Sequence, residues 1–136
     1  MLKLIVGRKG NGKTKLLIQL ANTAAAESKG AVVVIERGNH LIHEIDNTAR
    51  LVDADEYAIK TGEQLYGFIA GAYASNYDIT DLFLDASLKT IPIADLEAFV
   101  KAVDALAAKN SFNVVITISM PVEELPAALA EYVYKA

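Results

Sequence analysis

"GRKGNGKTK", Gly7–Lys15, stands between the apolar run "LKLIV" at Leu2–Val6 and "LLIQLA" at Leu16–Ala21. Its first eight residues match the pattern GxxxxGK[ST] at every fixed position. They do so at the end of a predicted strand and the start of a predicted helix, where such a loop must lie to work. A phosphate chain needs backbone N–H groups converging on its oxygens, so the loop must take conformations that side chains obstruct. Gly7, Gly10 and Gly12 allow this. Gly7, Arg8, Lys9, Gly10, Asn11, Gly12, Lys13, Thr14 and Lys15 are therefore the candidate phosphate-binding residues. Lys13 would reach the β- and γ-phosphate oxygens, Thr14 would place its hydroxyl on Mg²⁺, and the helix N-terminus would add partial positive charge. A glycine-rich turn with a chance Lys-Thr pair is the alternative, and position, spacing and flanking elements together argue against it.

Working outward, short β-branched runs alternate with segments of helical period, the pattern of a parallel α/β sheet. The helix from about Lys13 to Ser28 carries Leu16, Leu17, Leu20, Ala21 and Ala24 on one face and stops at Gly30. "AVVVI", Ala31–Ile35, is apolar on both faces, as expected of a strand covered on both sides. "RGNHLIHEIDNT" reads as a polar loop, followed by a short strand around Arg50–Val52. Thr61 and Gln64 make a capping box for a helix whose Leu65, Phe68, Ile69 and Ala72 share a face. Gly67 and Gly71, one turn apart on it, are read as close packing of helix on sheet in preference to a helix-pairing motif. Ile79–Leu84 is a strand ending in Asp85, a helix with Leu96, Phe99, Val100, Val103 and Leu106 follows Pro92, and Phe112–Ser119 is the last clear strand. Pro121 and Pro126 open a closing segment, read as helical, that runs to Tyr134.

Residues 1–136 are expected to form one domain. A net charge of -4 opposes a sequence-independent hold on nucleic acid, which needs clustered Lys and Arg to displace counterions. With no cysteine there is no disulfide or thiol nucleophile, which fits a reducing cytoplasm. The stretch after Lys13 resembles a signal peptide, but Gln19 and Asn22 break its apolar run, and no stretch reaches the ~20 apolar residues of a membrane span. "HLIHE" places His40, His43 and Glu44 within five residues, yet lacks the order and number of ligands of a zinc site.

Through Gly7–Thr14 the sequence resembles the P-loop NTPase superfamily, and this octet looks like its Walker A motif. The resemblance implies a three-layer αβα fold with a mostly parallel sheet of about five strands, and ATP and Mg²⁺ as ligands. "ITDLFLD" looks like a Walker B strand, in which Asp85 would hold Mg²⁺ through water. Two strands lie before Asp85 and one after it, which is similar to the RecA-like or AAA-like additional-strand branch. On that likeness Phe112–Ile118 separates the P-loop and Walker B strands, and Ser119 or Thr117 would be a polar sensor of the γ-phosphate; a hydroxyl capping the next helix is the alternative for Ser119. Leu2–Val6 would be a sheet edge, covered by the closing segment or by a second subunit. More loosely, the chain looks like small stand-alone bacterial ATP-binding proteins.

The departures from that pattern matter as much. Ala86, Ser87 and Leu88 follow Asp85, where many members of the branch carry a catalytic Glu. The nearest substitute is Glu36 at the end of the second strand, which would polarise the attacking water or remain a solvated strand-end charge. No NKxD or LSGGQ sequence is present, so adenine is the default base. The expected function is Mg·ATP binding with slow or partner-stimulated hydrolysis, with Lys13, Glu36 and Ser119 as candidate catalytic residues and Thr14 and Asp85 at the metal. The alternatives are a nucleotide-dependent binding module and a small-molecule kinase. A homo-oligomer or protein partner is expected, and no nucleic acid or membrane span.

Overall fold

The computed structural model describes residues 1–135. Five strands form one sheet: β1 (Leu2–Gly7), β2 (Ala31–Glu36), β3 (Arg50–Asp53), β4 (Ile79–Leu84) and β5 (Asn113–Ser119). The order across it is β1-β5-β4-β2-β3, and every pairing is parallel. The strand after Asp85 thus separates β1 from β4, as the additional-strand resemblance implies. Four α-helical elements lie between them: α1 (Lys13–Glu27), α2 (Gly62–Ser75), the single turn α3 (Ser87–Thr90) and α4 (Leu96–Asn110). The Thr61–Gln64 capping box opens α2, with both reciprocal hydrogen bonds made.

A strand's side chains alternate between faces, and here both faces are buried. Val33, Ile35, Leu82, Leu84, Val114, Ile116 and Ile118 pack against Leu65 and Ile69 of α2 and Leu96, Phe99, Val100 and Val103 of α4. Val32, Val34, Phe83 and Val115 face the opposite way, onto Leu17 and Ala21 of α1 and onto Leu41 and Ile45 of the long loop after β2. The result is three layers, αβα. No helix among the described residues is long and apolar enough to cross a membrane.

Two expectations are corrected. The closing segment is not an α-helix: tight 3₁₀ turns at Val122–Glu124 and Ala127–Tyr132 each follow a proline, and the chain then runs extended. Val133 bridges Leu4 in parallel and the Tyr134 N–H donates to the Leu4 carbonyl at 2.7 Å, so the exposed side of β1 is partly paired within the chain. Leu129, fully buried, anchors the segment. Gly67 and Gly71 do not pack on the sheet. A Cβ at either would meet open space, so their lack of a side chain is not a packing requirement of this fold.

Tyr134→Pro removes the donor to Leu4 at the edge. It should lower stability by only about 0.5–1.5 kcal/mol, the net contribution of one hydrogen bond, while promoting concentration-dependent association through β1. Leu129→Ala should cost about 2–5 kcal/mol, as a buried leucine does. Urea unfolding and light scattering at several concentrations check both.

Candidate functional site

The alternation that builds the core also places the polar residues. Glu36 has the parity of Val32 and Val34, Asp85 that of Phe83, and Thr117 and Ser119 that of Val115, so all four lie toward the α1 side of the sheet. They also sit at the C-terminal ends of parallel strands, where open α/β sheets gather their ligands. The turn from β1 into α1 arrives at this same edge.

In that turn Gly10 and Gly12 have φ of 89° and 76°, in the left-handed region that side chains disfavour. Gly7 belongs to β1 and has no such requirement, so only two of the three glycines serve the conformation expected of them. The Arg8 carbonyl accepts from the Asn11 N–H at 3.2 Å and from Lys13 Nζ at 2.8 Å. Lys13 is therefore folded back onto its own loop and is buried. Burial lowers its pKa below the ordinary value, with the neighbouring Asp85 carboxylate partly opposing that. Arg8, Lys9 and Lys15 are exposed, and Lys9 and Lys15 line a pocket of about 360 Å³ with Gly10, Gly12, Lys13 and Thr14.

Asp85 closes the pocket from β4. It is buried, and the Thr14 hydroxyl lies 3.1 Å from each of its carboxylate oxygens, although 71 positions separate the two residues. Thr117 Oγ1 donates to the same carboxylate at 2.8 Å and accepts from the Ala86 N–H at 2.6 Å. Ser87 Oγ donates to the Thr117 carbonyl at 2.9 Å. These contacts hold the turn after β4, in which Ala86 takes an unfavourable left-handed φ of 51°. The two sensor candidates thus separate. Thr117 is fully buried against Asp85, whereas Ser119 is exposed beside Gly7 in the strand register and lines the pocket.

Glu36 is not a solvated strand-end charge. It is almost fully buried, its Oε2 accepts from the Leu41 N–H at 2.9 Å, and its Oε1 lies 3.2 Å from Nδ1 of the exposed His40. With Thr14 and Asp85 it lines a smaller cleft of about 150 Å³, which Arg37 and Lys89 also border. The structure therefore brings Lys13, Thr14, Glu36, Asp85 and Ser119 to one edge. Sequence reasoning missed Lys89 on α3, which the odd spacing of a one-turn helix conceals, and the tie from Glu36 to Leu41.

The lowered Lys13 pKa sets a testable sign. The unfolded chain binds a proton at Lys13 more tightly than the folded one, so folding gains stability as pH rises from the depressed folded value toward the ordinary one. The stability of Lys13→Met relative to the parent should consequently be greatest near neutrality and fall as pH approaches about 10. Urea denaturation of both proteins across that range reads the difference.

No protein-family model matches the sequence, and no curated protein matches it either. Among solved structures, PCH-2 of C. elegans is similar in fold, with a TM-score of 0.57 at 16% identity. The match covers 97% of this chain and 33% of that one, so the chain spans about a third of that protein's length. The likeness is one of fold, a three-layer αβα arrangement about a five-stranded parallel sheet.

Proposed function

We propose that the chain binds Mg·ATP in the Gly7–Lys15 loop and hydrolyses it slowly or on stimulation by a partner. The observation that carries this reading is the pairing of the Thr14 hydroxyl with both oxygens of Asp85 at 3.1 Å, beside a lysine whose Nζ rests on a loop carbonyl. A hydroxyl and a carboxylate aimed at each other across a pocket are the donor set a hard divalent cation prefers, and a buried ammonium is suited to phosphate oxygens. An αβα fold with the Gly7–Lys15 loop at the C-terminal ends of its parallel strands is consistent with nucleotide binding.

Each residue then has a role. Gly10 and Gly12 let the backbone N–H groups converge on phosphate, and Lys13 exchanges the Arg8 carbonyl for phosphate oxygens. Thr14 and Asp85 would hold Mg²⁺, which when bound neutralises charge on the phosphates. Thr117 orients Asp85 by donating to it. Ser119, exposed at the pocket rim, is placed to contact the nucleotide, and Glu36 is the carboxylate available to accept a proton from water. Because Glu36 also holds the Leu41 N–H, and because Ala86 and Ser87 follow Asp85, the base is weakly provided and turnover is slow. The same tie favours a second reading, in which occupancy of the site is passed to the loop after β2 and the protein acts as a nucleotide-dependent binding module. An assembly of several copies or a protein partner belongs to either reading.

Thermal unfolding with a nucleotide panel, with and without Mg²⁺, tests the binding reading, since a ligand of the native state raises stability by RT ln(1 + [L]/Kd). Lys13→Ala should lose most of the stabilisation by Mg·ATP. Equal stabilisation of variant and parent would sink the assignment. Asp85→Asn should weaken the Mg²⁺ dependence of nucleotide binding itself.

Hydrolysis is tested at Glu36. Gln at this position can still accept from the Leu41 N–H, so Glu36→Gln removes the charge without releasing the loop. Phosphate release should fall by roughly 10²–10⁴-fold, the range for loss of a general base, with nucleotide affinity barely changed. Tight binding without measurable turnover in the parent would favour the binding module.

A further inference from the structure

Beyond the smaller cleft lies a separate pocket of about 330 Å³ that none of the loop residues Gly7–Lys15 line. Its walls come from the ends of β2 and of β4's following turn and from the segment after β3: Arg37, Asp55, Ile59, Lys60, Lys89 and Thr90 are among them. We propose that it binds a small oxyanion-bearing molecule, a phosphate ester or a carboxylate, seated next to the terminal phosphate of the nucleotide.

Charge argues for the class of ligand. Three cationic side chains face one carboxylate here, in a chain whose net charge is -4. The Arg37 guanidinium is held in place from two sides: Nε donates to Asp55 at 3.3 Å and Nη1 to the Lys89 carbonyl at 2.9 Å. Its Nη2 has no partner among the described residues, so a pre-oriented edge remains for a planar oxyanion. Neither Lys60 nor Lys89 makes an ion pair among the described residues.

A second, independent observation comes from Thr90. This residue is nine-tenths buried in the pocket wall, and its Oγ1 is the one buried side-chain polar atom without a hydrogen-bond partner among the described residues. Buried polar groups are rarely left unmet; Oγ1 has almost no accessible surface as it stands, and it gains a partner when the Thr90 side chain turns toward the pocket, which a bound oxyanion would favour. The volume is at the lower end of the range of small-molecule sites.

Position argues for the neighbour. Arg37 and Lys89 border both this pocket and the cleft that contains Thr14, Glu36 and Asp85, so the two spaces adjoin through shared cationic side chains. Two oxyanions approaching each other need cations between them. The proposal rests on the nucleotide reading for this neighbour and not for the existence of the pocket itself.

The test titrates ¹⁵N-labelled protein with glycerol 3-phosphate and, separately, with citrate, free and saturated with a non-hydrolysable Mg·ATP analogue. Saturable shifts at the Lys60, Lys89 and Thr90 amides are expected with one anion or both, and the anion that binds identifies the oxyanion. Arg37→Gln with Lys60→Gln should weaken binding about tenfold or more, the effect of losing charge-assisted hydrogen bonds. Both side chains are exposed, so the variant is expected to fold. Lys13→Ala should retain anion binding. If nucleotide fails to bind while the anion does and the double variant loses it, the pocket stands and the nucleotide reading falls. Absence of binding by either anion, binding unaffected by the double variant, or displacement of the anion by the nucleotide analogue would each overturn the proposal.

Discussion

Asp85 joins α1, β5 and β2, the first two through its carboxylate and the third through its backbone N–H. Thr14 reaches it from the start of α1 and Thr117 from β5, while its own N–H donates to the Ile35 carbonyl on β2 at 2.9 Å. Such a buried carboxylate is costly without donors, and two hydroxyls supply them. The strand order makes the arrangement feasible. β5 lies between β1 and β4, so the loop after β1 must cross β5 to meet Asp85, and Thr117 fills the space beneath that crossing. A hydroxyl there both satisfies Asp85 and fixes the turn that follows it. Valine, similar in shape, would leave the Ala86 N–H without its acceptor.

Much of this was legible in the sequence because it rests on local chemistry or on periodicity. The loop is an unbroken run of eight residues in which Gly10, Gly12 and Lys13 have a physical reason to be where they are, and β-branched runs that mostly alternate with helical periods imply a parallel sheet. The choice between Thr117 and Ser119 was also legible in principle: counting by twos from Val115 puts both on the α1 side, and the former lies one residue pair deeper in the sheet. What escaped was tertiary. Lys13 is buried because it folds onto the Arg8 carbonyl, which no pattern announces. The closing segment has apolar residues at helical spacing, but its prolines divide it into turns too short for an α-helix. A sheet edge then offers its backbone groups partners that a helix would not.

Glu36 is the clearest case of one residue with two demands upon it. A strand-end carboxylate reads from sequence as solvated, yet its burial here follows from the loop that covers it. Leu41 and Ile45 pack under that loop into the core on the α1 side, and the Leu41 N–H must find an acceptor once buried. Glu36 is the acceptor within reach. Its position is therefore set by the loop as much as by β2, and any proton it takes from water would weaken its hold on that loop only modestly, since the neutral acid still accepts.

The loop is tied in turn to α1. Asn22 donates from Nδ2 to the Glu44 carbonyl at 2.9 Å and accepts at Oδ1 from the Asp46 N–H at 2.8 Å, so one amide side chain clasps the loop from both directions. Asp46 also accepts from the N–H and hydroxyl of Thr48, which holds its carboxyl below the usual range and keeps the turn charged. The helix whose N-terminus begins at Lys13 thus grips, two turns further on, the segment that positions Glu36. A shift of α1 as its first turn closes on phosphate would be felt at Leu41 through Asn22, and from there at the Glu36 carboxylate. On the proposed nucleotide reading, hydrolysis and nucleotide-dependent binding are for this reason not opposed: the contact that would tell the loop about phosphate is the same one that would aim the carboxylate at water.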